Sequence, residues 1–271
     1  MPNAIAQNVC ALAVMTKMPQ VGNCKTRLVP PLAAVEAATL SACFLRDTCD
    51  NIARISLEGD AAGVAVYTPL DAQTFYNGLL PDSFGLLGQR GRTFGERLFH
   101  AAEDLLSSGY LSLCLIDSDS PTLPAAFLRA AVSALARPGD GIVLGPAKDG
   151  GYYLIGLKRA HRHLFEDIDW STSRVLKQTI ARAKEINLPV MMLPAWFDVD
   201  DAADLRQLCN ELFSTNGKQP ASAPVPYQAP HTRAYLSRLL QTDGPRQHFW
   251  QPAAELNQSV SRWSGRCDLT E

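Results

Sequence analysis

The chain has 271 residues, 46% of them apolar, with 25 basic and 27 acidic side chains and a formal charge of -2. That length suits one large domain, or one domain with an appendage, and is enough to bury a substantial core. Near-balanced charge excludes a general attraction for nucleic acid or an anionic membrane, so any phosphate recognition must be local. The seven cysteines are odd in number and contain no C-x-x-C pair, which argues for reduced thiols in a cytoplasmic protein and against a disulfide framework or zinc ribbon.

Residues 9–15 form an apolar run too short to span a bilayer and without a basic segment before it, so they predict a first strand rather than a membrane helix or signal peptide. The loop that follows holds Lys17, Pro19, Gly22, Lys25 and Arg27. Strand, basic loop and helix is the order in which α/β proteins hold phosphates. Cys24 stands where a Walker A loop needs glycine, and no G-x-G-x-x-G occurs, so neither nucleotide fingerprint is present. Three cations on one loop repel each other unless water or an anion intervenes. Each pairs with a phosphate for up to about 4 kcal/mol at about 4 Å before desolvation, and a di- or triphosphate meets that need. A solvated basic surface loop is the plainer alternative.

From Leu32, Val35, Ala38, Ala42, Leu45, Cys49 and Ile52 recur at helical spacing and predict an amphipathic helix packed on a sheet. Residues 63–68 predict a second strand, 72–80 a short helix and 85–87 a third strand. The glycine- and arginine-rich stretch 88–98 either touches a ligand's base or phosphates or simply connects, and leads into a helix ending near 107.

Residues 111–116 are nearly all apolar and predict a strand buried on both faces. It ends at Asp117, Ser118, Asp119, Ser120 and Pro121. Two acids two apart on an extended backbone share one side and can converge on one ion, for which hard Mg²⁺ or Mn²⁺ is the natural guest. The alternative is an acidic turn capping the next helix.

That helix is expected over 125–136, then a short strand at 141–145. Asp149 precedes the pair Gly150 and Gly151 and a further strand; adjacent glycines imply a close approach of backbone to something, often a ligand. His161 and His163 flank Arg162 and read as a surface cluster more than a metal site, for lack of cysteine and acid partners nearby. Trp170 precedes Ser171 and Thr172, either of which can cap a helix reaching 186. Residues 189–193 predict a strand. A second alternating acid pair, Asp198 and Asp200, then precedes a helix and can complete the same metal's shell or hold a second ion; an acidic helix N-terminus accounts better for Asp201 than for Asp198. Residues 214–230 have linker composition, and 232–240 can form a short helix.

Strands alternating with helices predict a mostly parallel α/β sheet with its ligands at the carboxyl ends of the strands. The set Lys17-Met18-Pro19, Gly22, Lys25-Thr26-Arg27-Leu28, Gly95-Glu96-Arg97-Leu98, Asp117-Ser118-Asp119-Ser120-Pro121, Asp149-Gly150-Gly151-Tyr152 and Asp198-Val199-Asp200 with Asp204-Leu205 resembles, in order over residues 8–213, bacterial GT-A-fold glycosyltransferase-like proteins of the arsenosugar-biosynthesis type. The first loop and the last motif are also similar to nucleotidylyltransferases such as 2-phospho-lactate guanylyltransferase. The resemblance implies a GT-A, Rossmann-like three-layer fold over 1–213, a linker at 214–231 and an extension of unassigned role at 232–271. It implies a transferase of a sugar from a nucleotide-diphospho-sugar to a small-molecule acceptor, with NTP-dependent nucleotidyl transfer as the alternative and a non-catalytic nucleotide-binding module as a third reading. Asp117, Asp119, Asp198 and Asp200 would hold the Mg²⁺ or Mn²⁺; Lys17, Gly22, Lys25, Arg27 and Arg97 the nucleotide's phosphates; Asp149, Gly150, Gly151 and Trp170 the sugar or acceptor. Lys25, Arg27 and Asp149 would be the catalytic side chains.

Overall fold

A computed structural model of the chain describes residues 9–213 and 224–242. The first apolar run becomes β1 (Cys10–Lys17), an interior strand of a seven-stranded sheet of order β3-β2-β1-β4-β6-β5-β7. The other strands are β2 (Ala61–Thr68), β3 (Gly85–Gly88), β4 (Ser112–Ile116), β5 (Ile142–Pro146), β6 (Tyr152–Leu157) and β7 (Val190–Met192). Every pairing is parallel except those of β6, which runs antiparallel to both β4 and β5. This is the α/β, Rossmann-like arrangement of the GT-A fold.

Alternation along β1 explains why its sequence is apolar throughout. Cys10, Leu12 and Val14 enter one core with α1 (Ala34–Ser56), α2 (Gln73–Asn77) and α4 (Ala125–Leu135), while Ala11 and Ala13 enter the opposite core with α3 (Phe94–Ser107) and α5 (Val175–Glu185). A third cluster joins Leu28, Leu40 and Phe44 to Leu205, Leu208 and Leu212 of α6 (Ala202–Phe213) and to Tyr227, Ala229 and Leu236. Leu236 lies in α7 (Pro230–Thr242). Residues 214–223 and 243–271, and with them parts of the expected linker and extension, lie outside the described residues. No helix among the described residues is long and apolar enough to cross a membrane.

Asp47 of α1 is fully buried and ties α7 down: its two carboxylate oxygens accept hydrogen bonds from the backbone N–H of His231 at 3.0 Å and Thr232 at 2.7 Å. Burial pushes its carboxyl up, and the two helix N–H groups work against that push. Asp47→Ala strands both donors, so a loss of about 2 kcal/mol is expected, read as a fall in Tm of about 4–8 °C.

Several local expectations are corrected. The segment expected to be one helix over 72–80 is a 3-10 turn at Leu70–Ala72 followed by the short α2. The helix after Trp170 starts at Val175 with Arg174 in the cap position, because Ser171 has a φ of 62° and the Thr172 hydroxyl is occupied as donor to Asp169 O and acceptor from Arg174 N. The stretch at His161 and His163 is a 3-10 turn, Arg162–Phe165, and each histidine pairs with an acid, Asp140 and Glu185 respectively. In the 88–98 stretch, Arg90 is fixed to Glu103 and Asp104, and Gln89 donates to Thr16 O and Val66 O, so these two side chains brace the sheet edge and α3.

Candidate functional site

The parallel strands β1 and β4 and the antiparallel β6 bring three loops to one edge of the sheet. Asp117 leaves β4 there, its N–H donating to Tyr153 O of β6 at 3.0 Å. Asp149 and Gly151 open β6 at the same edge because Ile116 is in register with Leu154. The second acid pair arrives through a backbone bond: Val199 N donates to Asp119 O at 3.0 Å, which holds the two Asp-x-Asp segments side by side.

Lys25 closes this arrangement. Its backbone is left-handed (φ 47°), and its side chain, only 7% exposed, places the ammonium 3.0 Å from Asp119 Oδ2, 3.0 Å from Asp200 Oδ1 and 2.8 Å from Val199 O. Three acceptors match the three N–H donors of an ammonium. Burial alone would lower the Lys25 pKa, but Asp119 and Asp200 outweigh it and raise it. Arg27, 73% exposed, reaches Asp200 Oδ2 at 3.3 Å. Lys17 Nζ lies 3.5 Å from Asn23 O across the loop.

Asp117 is held differently. Its oxygens accept from Asp119 N at 3.2 Å and the Ser120 hydroxyl at 2.9 Å, and burial together with the charges of Asp119 and Asp198 pushes its carboxyl well above the usual carboxylate range. Burial, then Asp149 and Asp200, push Asp198 up to about 6. Asp149 Oδ1 accepts from Gly151 N at 2.8 Å.

Two cavities meet at Asp119 and Asp200. One, of about 260 Å³, is walled by Lys17, Lys25, Arg27, Asn23 and Ser41. The other, of about 310 Å³, is walled by Asp117, Asp149, Asp198, Gly151, Tyr152, Phe94 and Trp170. Of the residues singled out in the sequence, Gly22 and Arg97 line neither: Gly22 supplies a positive φ of 79° for the loop, and Arg97 Nε donates to Gly91 O at 3.4 Å. Gly150 also lies off both walls. With φ at 94°, it approaches the backbone of Ser173 rather than a ligand; a Cβ there would run into Ser173 O. Gly150→Ala is therefore expected to cost about 2–4 kcal/mol, measurable by denaturant titration.

The structure also resolves the acids after Asp200. Asp201 caps α6 by accepting from Ala203 N and Asp204 N, and Asp204 returns the bond to Asp200 N and Asp201 N. That pair orients the segment carrying Asp198 and Asp200. Sequence reasoning passed over Phe94, although Thr93 and Glu96 spell the capping box that sets it on the first turn of α3. Among the described residues no group of three or more His, Cys, Asp or Glu side chains is drawn together closely enough to hold a metal ion. The Lys25 ammonium stands between Asp119 and Asp200, while Asp198 is close enough to Asp117 to raise the cost of its charge.

Residues 51–172 match the DUF2064 family, described as an uncharacterized protein conserved in bacteria. A structure from Desulfovibrio desulfuricans G20, provisionally named a nucleotide-diphospho-sugar transferase, is 28% identical with a TM-score of 0.72, the alignment covering 86% of this chain and 95% of that one. Rv0371c from Mycobacterium tuberculosis H37Rv is 17% identical with a TM-score of 0.45, over 74% of this chain and 97% of its own. CMP:2-keto-3-deoxy-manno-octonic acid synthetase, solved with CTP, is 8% identical with a TM-score of 0.49, over 74% and 97%. No curated protein matches the chain.

Proposed function

We propose that the chain is a metal-dependent glycosyltransferase that takes a sugar from a nucleotide-diphospho-sugar. The observation that carries this reading is the division of charge at Asp119 and Asp200: a cation-walled cavity on one side and a carboxylate- and aromatic-walled one on the other. The 28% identical transferase-named structure, aligned over 86% of the chain, supports it. In this reading Lys17, Lys25 and Arg27 receive the diphosphate, and the acceptor and transferred sugar lie toward Asp149 and Trp170.

The donor set fits a hard divalent cation: the acids are all oxygen ligands, and among the described residues no basic side chain ion-pairs with Asp117 or Asp198, whose ionised forms burial and neighbouring carboxylates make costly. Asp117 and Asp198 would hold Mg²⁺ or Mn²⁺, beside Asp119 and Asp200, which Lys25 ties together. When bound, the ion neutralises charge on the departing diphosphate. The protein's own part is electrostatic and positional. Lys25 and Arg27 face the developing anion from fixed positions. Asp149, exposed and on the acceptor wall, is placed to take the acceptor's proton.

Nucleotidyl transfer from an NTP shares the fold, but the charge already spent on Asp200 by both Lys25 and Arg27 leaves less for a triphosphate. Calorimetric titration of UDP-sugars, GDP-sugars and the four NTPs with Mg²⁺ or Mn²⁺ decides between them. Binding of a nucleotide sugar with nucleoside diphosphate release is the expected result; tight NTP binding with pyrophosphate release overturns it, and nucleotide binding with no turnover favours the non-catalytic module.

A further inference from the structure

Three oxygens close around the Lys25 ammonium: Asp119 Oδ2 and Asp200 Oδ1, each at 3.0 Å, and Val199 O at 2.8 Å. Two carboxylates and a backbone carbonyl are also the donors that a hard divalent ion takes, drawn in to about 2.0–2.1 Å for Mg²⁺. A lysine therefore stands where the two Asp-x-Asp segments could otherwise hold an ion between them.

Lys25 is not a loose occupant of that place. Its side chain is 7% exposed and leaves a left-handed backbone (φ 47°), a conformation that is costly for a residue with a side chain and persists only where the surroundings hold it. The second carboxylate oxygen of Asp200 is taken as well, by Arg27 at 3.3 Å. With Asp117, Asp119, Asp198 and Asp200 ionised and only Lys25 and Arg27 paired among them, the free chain lacks the charge of one divalent ion. A further ion entering between Asp119 and Asp200 would have to expel a buried ammonium from three acceptors, against the repulsion of like charges.

We infer, on the metal-dependent reading, that Lys25 is the built-in second cation of this site: it keeps Asp119 and Asp200 for itself, so that the chain takes a single divalent ion, on Asp117 and Asp198. Of the four acids that the sequence offers to a metal, two then serve the ammonium. Lys25 walls only the cation-lined cavity, Asp117 and Asp198 only the acid-lined one, and Asp119 and Asp200 wall both. Positive charge facing the diphosphate is thus present before any metal arrives and does not depend on metal concentration. Paired ions clamp both the attacking and the leaving oxygen at a phosphorus, whereas one ion beside a fixed ammonium attends to a leaving diphosphate.

The test counts Mn²⁺ bound to the full chain, stripped with EDTA and desalted, from the electron paramagnetic resonance signal of the free ion, with and without a UDP- or GDP-sugar. A single ion per chain is expected. Lys25→Met should take up a second, and Mn²⁺ should recover at least half of the Tm that this variant loses. Lys25→Arg, which keeps a charge beside Asp119 and Asp200, should stay at one ion. Combining Lys25→Met with Asp117→Asn should bring the count back to one, now between Asp119 and Asp200. Lys25→Gln, which is neutral but keeps N–H donors for the two acids, replaces the methionine variant if that does not fold. Two ions on the unaltered chain, or one on both it and the neutral Lys25 variant, overturns the role of Lys25 and leaves metal dependence standing. No Mn²⁺ on any of these chains under either condition overturns the metal-dependent reading and the role of Lys25 with it.

Discussion

Asp117→Asn is expected to give a protein that melts higher than the unaltered chain and transfers nothing. The substitution keeps the shape of the side chain and its place beside Ser120 and the Asp119 N–H. It removes a charge that burial and two neighbouring carboxylates make costly. Relief of such a cost falls in the range of about 0.5–2 kcal/mol found for stabilising changes, which in a chain of this size raises Tm by roughly 1–8 °C. Activity is expected to fall by at least about a hundredfold, because a buried carboxyl whose ionised form is costly in the free protein serves charge that arrives with substrate. Differential scanning calorimetry with and without Mn²⁺ checks both halves: Mn²⁺ should raise the Tm of the unaltered chain and leave that of the variant nearly unmoved. A variant that melts lower, or responds to Mn²⁺ undiminished, would remove Asp117 from the site.

Lys25→Met is expected to damage both stability and turnover. The ammonium satisfies Asp119, Asp200 and the Val199 carbonyl together, and no other side chain ion-pairs with Asp119 among the described residues. Without it two carboxylates face each other across the join of the loops. Both remain about one-third exposed, so water screens the repulsion and the loss of stability should be about 1–3 kcal/mol rather than the larger figure for a fully buried pair. Turnover should fall by about 10²–10³, the usual effect of deleting one preorganised stabiliser of a developing anion. Lys25→Arg should rescue little, since a planar fork cannot meet three acceptors arranged around a point. Arg27→Ala is the contrast. With 73% of its side chain in solvent, its removal should shift stability by less than about 0.5 kcal/mol.

The strands were legible because strands buried on both faces read as continuous apolar runs, and β1 and β4 are such runs. The acids that end β4 and precede α6 were equally visible as alternating pairs at the close of an extended segment, although spacing alone does not separate them from helix-capping acids such as Asp201. What the sequence withheld was which acid answers to which partner. Nothing in the spacing says that Lys25 crosses to Asp119 and Asp200, because that contact joins loops far apart in the sequence and depends on the Val199 to Asp119 backbone bond. Nor could it place Arg97, whose motif neighbours Gly95 and Glu96 are taken up by packing on Trp170 and by capping α3. The glycine pair showed a real close approach, but only coordinates reveal that Gly150 meets Ser173, so that the acid loop leans on the turn before α5.

The burial of Tyr227, Ala229 and Leu236 beside Leu28, Leu40 and Phe44 bears on where this protein can be shortened. Sequence composition invites a cut after residue 213. Such a cut would leave an oily groove along α1, directly behind the loop that carries Lys25 and Arg27, and would strip away the strand-like contact of Tyr227 N with Thr122 O. Expression trials should therefore find the piece ending at 213 sticky and short-lived beside the full chain.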